Sequence, residues 1–537
     1  MPVTSVGDRP TTIEYAYRSP SLSSLVDPSK PLLRAHSHSY CPDIRATMDL
    51  PLVYRILRSL SDVIVRRYYS ELHVQGPENV PYEAPLIIAA SHHNEIIDIA
   101  SLAMSIPHGR HLAFWAKSTM FANLILRNVL LSSGAIPVQR NPNSFSSQSA
   151  TNSSTDHRTN GKADLFYDSA LSLAKGRVLG VFPEGTSYTE PRILQILPGA
   201  AWAAVDYATR WGRFGPYANR DSQWLRSECV YIVPTGIVYT DKASYRSRIV
   251  VHYGSPIDVD ACIQAIMSSD VYNGLPSMQH AVAKALVAAM ESELLQLTLN
   301  APDWDTWYAA RMACELAGTM PLKDFAPTFQ RYIRILSTTT HDGQLDSSRR
   351  SFLRYYALLH HTGIDHGALS AILSHRQDTY FALNTANMLY ILLRETIIAI
   401  LHPQFIFFLP QLAVHFPAYV AGALAGRYIA PRSRSSVQRT SGEETQPNEE
   451  AQAQYKAVFG GVTAGAVYVG VAWRLGRALF TLSRATAPNI VIGRIGGLLA
   501  GHEGASRRLV AMIGVVWGTS WVCSRWHDAL IDSNYSQ

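Results

Sequence analysis

The segment "SHHNEIIDIA", residues 91–100, holds the residue types that could perform general-base chemistry. Two histidines follow an apolar run, and Asp98 comes five places after His93. A near-neutral imidazole can remove the proton of a hydroxyl as its oxygen attacks a carbonyl group. A carboxylate on the other ring nitrogen would fix the tautomer and stabilise the imidazolium. The pair therefore fits transfer of an acyl group from a thioester to an alcohol, with no covalent enzyme intermediate required.

Spacing alone does not single out this pair. The same His–Asp spacing occurs at His38/Asp43, His93/Asp98, His341/Asp346, His360/Asp365 and His527/Asp532. On a regular helix a five-residue step leaves two side chains about 140° apart. His93 and Asp98 are therefore expected to meet only if His93 lies in the turn before a helix, which Ser91 or Asn94 can cap. His92 has no acid at that offset, and we expect it to pack or to line a pocket.

Only the pair at 93 and 98 is followed by three more blocks at the ends of predicted strands. These are "GAIPVQR" (134–140), "FPEGTS" (182–187) and "YIVPTGIVY" (231–239). In this order, the four blocks closely resemble the glycerolipid acyltransferase family. The later stretches "YRSRIVVHYGSPI" and "TLNAPDWDTWYAAR" are more similar to the fungal-type branch, which acylates glycerol 3-phosphate or dihydroxyacetone phosphate.

Two departures from the family pattern bear on the acceptor. The first block begins Ser-His-His-Asn, where many relatives have one histidine preceded by Asn or Pro. Thr186 is shared with relatives that acylate lysophospholipids, whereas the fungal branch more usually has glycine there. The identity of the acceptor therefore stays open at this point.

The resemblance implies that His93 is the base, that Asp98 orients it and that a phosphate is bound nearby. An arbitrary arginine is more often a surface ion pair, but within this motif order Arg140 is expected to grip phosphate through two parallel hydrogen bonds. Gly185 would let the backbone approach the anion. Glu184 is itself negative, so we expect it to hold Arg140 or a substrate hydroxyl. The predicted phosphate-binding set is Arg140, Glu184, Gly185, Thr186 and Ser187, with Lys117, Pro234, Arg246 and Arg248 as second-rank candidates.

The elements around these blocks predict an α/β fold with a mainly parallel sheet flanked by helices. Short Ile- and Val-rich runs are typical of buried strands: "PLIIAA", "RVLGVF", "CVYIVPTGIVY" and "SRIVVHYG". Helical stretches alternate with them, which favours a parallel sheet. The catalytic domain is expected over residues 71–260, interrupted by a polar insert at 141–162. Pro234 in a strand that would otherwise be central indicates an irregular edge near a pocket.

The regions before this domain are a leader and a helix. Residues 1–45 are rich in Ser, Pro and Thr, and we expect a disordered leader. Residues 46–70 have apolar side chains at helical spacing and several arginines. Either this helix packs on the core, or it lies on anionic lipid with its arginines reaching phosphates.

The regions after the domain are expected to be helical. Residues 261–385 form a predicted helical extension, and 386–530 a transmembrane region with a polar linker at 431–455. Its apolar stretches are 402–426, 457–473 and 509–524, of which the first is long enough to span a bilayer. The alternative is a buried helical bundle in a soluble protein.

Composition excludes some function classes. The chain is 47% hydrophobic and 16% charged with a net charge of +6, which fits anionic lipid or phosphate-bearing substrates. The sequence has no compact basic stripe with aromatic residues, so nucleic-acid binding is not predicted. Five scattered cysteines without a Cys-x-x-Cys pair argue against a disulfide framework or a zinc site.

The sequence and the resemblance together predict a membrane-bound O-acyltransferase. Its donor would be acyl-CoA and its acceptor glycerol 3-phosphate or dihydroxyacetone phosphate, with no metal or other cofactor. The expected location is the endoplasmic reticulum membrane, with the catalytic domain facing the cytosol. Two alternatives remain: a lysophosphatidate or other lysophospholipid acyltransferase, and a catalytically silent lipid-binding scaffold.

Overall fold

A computed structural model describes most of the chain between residues 51 and 535. The described residues are 51–138, 166–188, 190–212, 214, 229–268, 275–318, 320–338, 343–364, 366–367, 369–370, 390, 393–394, 397–398, 401, 403–429, 449–485 and 505–535. The predicted leader, Arg140 and the predicted insert 141–162 lie outside these ranges.

The described strands and helices alternate through the first half of the chain. The strands are β1 (Glu71–Gln75), β2 (Leu86–Ala90), β3 (Leu112–Lys117), β4 (Ile136–Val138), β5 (Val178–Val181), β6 (Tyr231–Tyr239), β7 (Arg248–Tyr253) and β8 (Ile257–Asp258). The helices are α1 (Pro51–Tyr68), α2 (Glu95–Ser105), α3 (Leu124–Ser133), α4 (Gly199–Arg210), α5 (Val259–Met267), α6 (Leu275–Leu297), α7 (Trp304–Leu316), α8 (Leu322–Ser337), α9 (Gly343–Thr362), α10 (Pro403–Tyr428), α11 (Glu449–Ala485) and α12 (Ala505–Tyr535). Residues 166–174 are also helical.

The eight described strands form one mixed, mostly parallel sheet. Their order is β1-β7-β6-β2-β5-β3-β4, with β8 beside β6. The pairs β6–β2, β2–β5, β5–β3 and β3–β4 are parallel, as is β1–β7. β6 is antiparallel to β7 and β8. The predicted fold class, a mainly parallel sheet with flanking helices followed by a helical C-terminal region, is therefore confirmed.

The central strands are buried because helices cover both faces of the sheet. All five residues of β2 and all four of β5 are buried. One face packs against α4, α5 and α6, and the other against α1 and α2. α7 and α8 pack on β6 and β7. Strands covered on both faces have no polar side to show, so they read as continuous apolar runs, as predicted.

The structure also contains strands that the sequence did not indicate: β1, β3 and β8. β1 lies at one edge of the sheet and carries "ELHVQ", in which polar and apolar residues alternate. β8 has only two residues. β1 and β8 have a weak apolar signal because they are short or lie at the edge of the sheet. β3 lies between β5 and β4, and only its first two residues are buried.

Helix α1 has two different faces. Tyr54, Val65 and Tyr68 are buried in the core beside β2 and α2. The Tyr54 hydroxyl accepts the Leu112 amide N–H at 3.0 Å and donates to the Arg110 carbonyl at 3.2 Å. The predicted apolar face points outward: Leu52, Ile56, Leu60 and Val63 are 51–66% exposed. The helix thus packs on the core and keeps a second apolar face free of it.

The C-terminal helices α10, α11 and α12 pack against one another. α10 and α11 approach closely at Gly422, where an added Cβ would lie 3.1 Å from the Lys456 carbonyl oxygen. Within the described part of the chain, one helical segment, Gln452–Leu475, is long and apolar enough to cross a membrane, and 6% of its most apolar window is buried. α11 already begins at Glu449, so the last residues of the predicted linker 431–455 are helical.

Candidate active site

The carboxyl ends of neighbouring parallel strands bring two of the predicted blocks together. β2 ends at Ala90 and leads into Ser91–Asn94, and β5 ends at Val181 and leads into "FPEGTS". The two strands are adjacent and parallel, so both turns leave the sheet at the same edge. The contact is direct: the His92 amide N–H donates to Glu184 Oε1 at 2.6 Å.

The histidine in contact with Asp98 is His92, whereas the sequence predicted His93. His92 Nδ1 lies 2.9 Å from Asp98 Oδ2. The Asp98 side chain is fully buried, while 15% of the His92 side chain is exposed. The predicted contact of His93 with Asp98 is therefore wrong, and His92, for which packing or pocket lining was predicted, makes that contact instead. The predicted placement of the histidines in the turn before α2 is confirmed.

The conformation of the turn before α2 explains why His92, and not His93, contacts Asp98. The prediction relied on the five-residue spacing, which gives His92 no acid, but residues 91–94 form a non-helical turn: Asn94 is the N-cap with φ −145°, and α2 starts at Glu95. The Asn94 amide N–H donates to Asp98 Oδ2 at 2.7 Å, so the carboxylate folds back over the turn. The His92 ring stacks on Phe182 with centroids 4.0 Å apart, which holds it beside the carboxylate.

Asp98 is held on both of its oxygens. Besides the contacts of Oδ2, Oδ1 accepts a hydrogen bond from the Tyr239 hydroxyl at the end of β6. Burial and the negative charge of Asp98 raise the pKa of Tyr239, so this hydroxyl stays protonated and donates. A buried carboxylate with three donors is an effective partner for an imidazolium, and its orientation is fixed.

Glu184 lies at the centre of the second turn. It is fully buried, and its Oε2 has no hydrogen-bond partner among the described residues. Gly185 has φ +76°, a backbone conformation that glycine adopts without strain, and its N–H closes the turn onto the Phe182 carbonyl at 3.0 Å. Thr186 and Ser187 follow and are partly exposed. The unsatisfied carboxylate oxygen can accept a hydrogen bond from a substrate hydroxyl or from a cation.

His93 lines an adjacent pocket, and its ring makes an edge contact with Tyr188 at 6.5 Å between centroids. Burial lowers the pKa of His93; the nearby Glu184 carboxylate opposes this, and Lys242 adds to it. The imidazole is therefore expected to be neutral at pH 7, available as a hydrogen-bonding group or as a base.

The pocket beside His93, called here the α7 pocket, lies between β6 and the helical extension. One side is formed by residues 237–242 and by Glu190 and Pro191; the other is formed by side chains of α7 and α9. The side chains that matter below are Lys242, Trp304, Tyr308, Arg311 and Tyr356. The sequence pointed to the stretch "TLNAPDWDTWYAAR" only through its resemblance to the fungal branch. Lys242 and Tyr239 were missed because nothing in their local sequence distinguishes them from ordinary strand-end residues.

The second-rank cations lie away from His92. Lys117 is exposed at the end of β3. Arg248 Nη1 donates to the Met320 carbonyl at 3.3 Å, and Arg246 lies 3.9 Å from Asp528 of α12. Arg246 thus contacts α12, Arg248 contacts the segment between α7 and α8, and neither lines the α7 pocket.

Pro234 lies in an interior strand, so the predicted irregular edge at this position is wrong. β6 runs unbroken from Tyr231 to Tyr239 between β2 and β7. On the side away from β2, the first residues of β6 pair with β8 and the later residues pair with β7. Pro234 lies where the partner changes, and its carbonyl accepts the Gly254 N–H at 2.8 Å. The missing N–H of proline falls at that change of partner, where no ladder hydrogen bond is lost.

A family comparison agrees with this arrangement. Residues 71–238 match the family model described as "Acyltransferase". The match covers β1 to β6 and includes both turns of the candidate site. Residues 71–238 are therefore similar to an acyltransferase domain.

Two curated yeast proteins are similar to this chain over part of their length. The chain is 32% identical over 138 residues to "Glycerol-3-phosphate O-acyltransferase 2" of Saccharomyces cerevisiae, covering 26% of this chain and 16% of that protein. It is 24% identical over 200 residues to "Glycerol-3-phosphate O-acyltransferase 1" of the same yeast, covering 36% of this chain and 24% of that protein. The similarity thus spans less than a quarter of each relative.

A solved structure is also similar in part. The 1-acyl-sn-glycerophosphate acyltransferase of Thermotoga maritima aligns with 45% of this chain and 80% of its own, at 14% identity and a TM-score of 0.28. At that score the two chains share too little of their overall arrangement for the likeness to bear on function.

Proposed function

We propose that this protein is a membrane-bound O-acyltransferase that moves a fatty acyl group from acyl-CoA to the hydroxyl of glycerol 3-phosphate or dihydroxyacetone phosphate. The observation that carries the proposal is the His92–Asp98 pair at the carboxyl edge of a sheet that matches the acyltransferase family. The names of the two yeast relatives support the acceptor.

In the proposed reaction, Asp98 holds the Nδ1–H of His92 and leaves Nε2 free to accept a proton. The acceptor hydroxyl gives its proton to Nε2 as its oxygen forms a bond to the thioester carbonyl carbon. The C–S bond then breaks, and the departing coenzyme A sulfur takes the proton from the imidazolium. A positioned base of this kind contributes about 10²–10⁴ in rate.

Glu184 is proposed to orient the acceptor. Its Oε2 is buried next to His92 without a partner among the described residues, and leaving such an acceptor unsatisfied costs about 1–3 kcal/mol. A hydroxyl of the acceptor would satisfy it and lie within reach of the base. Arg140 remains a proposed phosphate ligand.

Exposed apolar surfaces support membrane attachment. Four apolar side chains of α1, at positions 52, 56, 60 and 63, are exposed, and so are Leu124 and Ile125 of α3, a helix that contacts α1. The candidate span starts at Gln452, and Gln454 contacts Glu95 at the start of α2. The base would then lie close to the lipid surface from which an acyl chain arrives. Residence in the endoplasmic reticulum with a cytosolic site is part of the proposal.

The test uses the purified full chain in detergent with radiolabelled acyl-CoA and four acceptors: glycerol 3-phosphate, dihydroxyacetone phosphate, lysophosphatidate and lysophosphatidylcholine. We expect transfer to the first two. Preferred transfer to a lysophospholipid would favour the alternative acyltransferase, and no transfer to any acceptor would favour a lipid-binding scaffold.

The variant Asp98→Asn tests the role of the carboxylate in this assay. It keeps the size of the side chain, but an amide oxygen cannot balance the imidazolium, so the rate should fall by about 10²–10⁴ while the protein still folds. Undiminished activity in this variant would contradict the proposed chemistry.

A further inference from the structure

Helix α11 lies beyond residue 238, where the match to the acyltransferase model ends, yet it packs against α2, the helix that carries Asp98. The Gln454 side-chain amide donates to the carboxylate of Glu95, the residue that directly follows the turn 91–94. Resting on the proposed function, we propose that Gln454 is a positioning residue for acyl transfer. Acting through Glu95, it holds the turn in the conformation that brings His92 to Asp98.

The first turns of α11 are fixed on the core by two other contacts. Ala453 is fully buried in the core cluster that it forms with residues of β2 and α2. Lys456 Nζ donates to the Ala243 carbonyl at 2.9 Å, in the segment that follows β6. Gln454 lies between these two anchors and is 7% exposed. Its side chain therefore reaches Glu95 from a part of the helix that is held independently of this hydrogen bond.

Glu95 has a backbone conformation that glutamate rarely adopts. Its φ is +41°, in the left-handed region, although it is the first residue of α2. A residue other than glycine keeps such a conformation only where its surroundings hold it, and residues of this kind cluster at active sites. The hydrogen bond from Gln454 supplies such a restraint on the side chain.

The turn is held from the sheet at one end and from α11 at the other. On the side of the sheet, the His92 amide N–H donates to Glu184 at 2.6 Å. At the other end, α11 holds Glu95. Between these points the Asn94 amide N–H and the His92 ring both contact Asp98 Oδ2, at 2.7 and 2.9 Å. A change in the backbone at Glu95 would therefore move two of the groups that contact the carboxylate.

The charge of Glu95 makes its partner important. Burial raises the pKa of Glu95, and the hydrogen bond from Gln454 opposes this effect by stabilising the carboxylate. The negative charge of Asp98 raises the same pKa further, while His92 lowers it. Without the amide donor, Glu95 would be a partly buried acceptor close to a second carboxylate. Turning the side chain towards water would relieve this, and the strained backbone at the start of α2 would lose its restraint.

The decisive variant is Gln454→Leu, which keeps a side chain of similar size but removes the donor. Small displacements of a reacting group have large effects on rate, so kcat should fall about 10- to 100-fold. The KM values for acyl-CoA and glycerol 3-phosphate should be little changed, because Gln454 contacts a residue of the turn and not the substrates. Gln411→Leu is the matched control: Gln411 is also buried, on α10, and this variant should keep the wild-type kcat.

An exchange of the two partners distinguishes positioning from a general loss of stability. Gln454→Glu places a second carboxylate against Glu95 and should lower kcat at least as much as Gln454→Leu. Adding Glu95→Gln to that variant restores the hydrogen bond with donor and acceptor exchanged, and most of kcat should return. Wild-type kcat in Gln454→Leu, or a double variant no more active than Gln454→Glu alone, would overturn the proposal.

Amide hydrogen exchange reports on the turn without turnover and so separates this proposal from the proposed function. The amides of His92 and Asn94 donate to carboxylates in the wild type. Mass spectrometry of the full chain in detergent should show that they exchange faster in Gln454→Leu but not in Gln411→Leu. Equal exchange in the wild type and Gln454→Leu overturns the proposal. Faster exchange in a chain that transfers no acyl group would support the restraint by Gln454 and contradict the acyltransferase activity.

Discussion

The central sheet and the C-terminal helices are similarly apolar, yet their surroundings differ. Every side chain of β2 and β5 is buried, and Ile88 is fully so. On α11, by contrast, Val462 is 70% exposed, and the window that defines the candidate span is 6% buried. The strands are covered by the helices on both faces of the sheet, whereas this part of α11 is exposed among the described residues.

This difference shows what each apolar run does. Burial in the sheet stabilises the fold, because removing apolar area from water contributes about 25 cal/mol per Å². An exposed apolar face of this size in a long helix fits a lipid environment. The two regions are joined by apolar packing of Ala453 into the core and by a few polar contacts, which are themselves open to test.

The largest expected effect comes from removing a side chain in the sheet. Ile88→Ala should lower the free energy of unfolding by about 2–5 kcal/mol, since the cavity lies between two covered faces. The matched change Val462→Ala on α11 should alter it by less than about 0.5 kcal/mol. Denaturant unfolding of the detergent-solubilised chain measures both, and equal losses would contradict the contrast between the regions.

A charge on the exposed face of α11 sharpens the contrast further. Val462→Arg places a guanidinium near the middle of the candidate span, at a cost of about 2.5–3.5 kcal/mol for membrane insertion. The fraction of protein that resists carbonate extraction from membranes should fall. Leu295→Lys, on the exposed surface of α6, should leave that fraction unchanged. An unaffected Val462→Arg protein would mean that α11 does not cross the bilayer.

The junction between the sheet and the helical extension should be sensitive to pH. Burial raises the pKa of Asp241, but the Arg311 guanidinium outweighs it and holds this pKa below its ordinary value of 3.8. A lowered folded-state pKa stabilises above the unfolded value and is lost as the pH falls through the folded value. Asp241→Asn should therefore cost about 1–3 kcal/mol at pH 7, with the difference shrinking below pH 3.8. Thermal melts of the wild type and of Asp241→Asn between pH 7 and a pH below 3.8 measure this difference in stability. The same difference at all pH values would be inconsistent with the ion pair.

The smallest effect is expected where the C-terminal helices touch α1. Asp528 of α12 lies 3.2 Å from Arg67 of α1, with about a third of its side chain exposed. Asp528→Asn should reduce the free energy of unfolding by about 0.2–1 kcal/mol, the usual range for exposed ion pairs. A double-mutant cycle with Arg67→Gln isolates the pair. A coupling energy of zero would leave apolar packing as the main connection.

The sequence revealed the fold because its buried strands are short apolar runs bounded by turns. The blocks that hold His92, His93, Asp98 and Glu184 follow predicted strands. They could therefore be expected at one edge of the sheet, because the carboxyl ends of parallel strands meet there. What it could not provide was the direction of each side chain in a four-residue turn. The five-residue spacing excluded His92, yet the amide N–H of Asn94 holds the Asp98 carboxylate beside His92.

Other parts of the site depended on contacts between distant segments. Lys242 and the wall of α7 and α9 come together only when the helical extension packs on β6 and β7, and no local pattern reports such packing. Pro234 shows the converse. Its local signal predicted an irregular edge, but a change of neighbouring strand accommodates the missing N–H inside the sheet.

The pairing of His92 with Asp98 is tested most directly by comparing His92→Ala with His93→Ala in the acyl-transfer assay. The structure predicts that His92→Ala lowers kcat by about 10²–10⁴. His93→Ala should lower kcat far less, since His92 and not His93 forms the hydrogen bond with Asp98. The opposite result, with kcat abolished by His93→Ala and retained by His92→Ala, would contradict this assignment of the base.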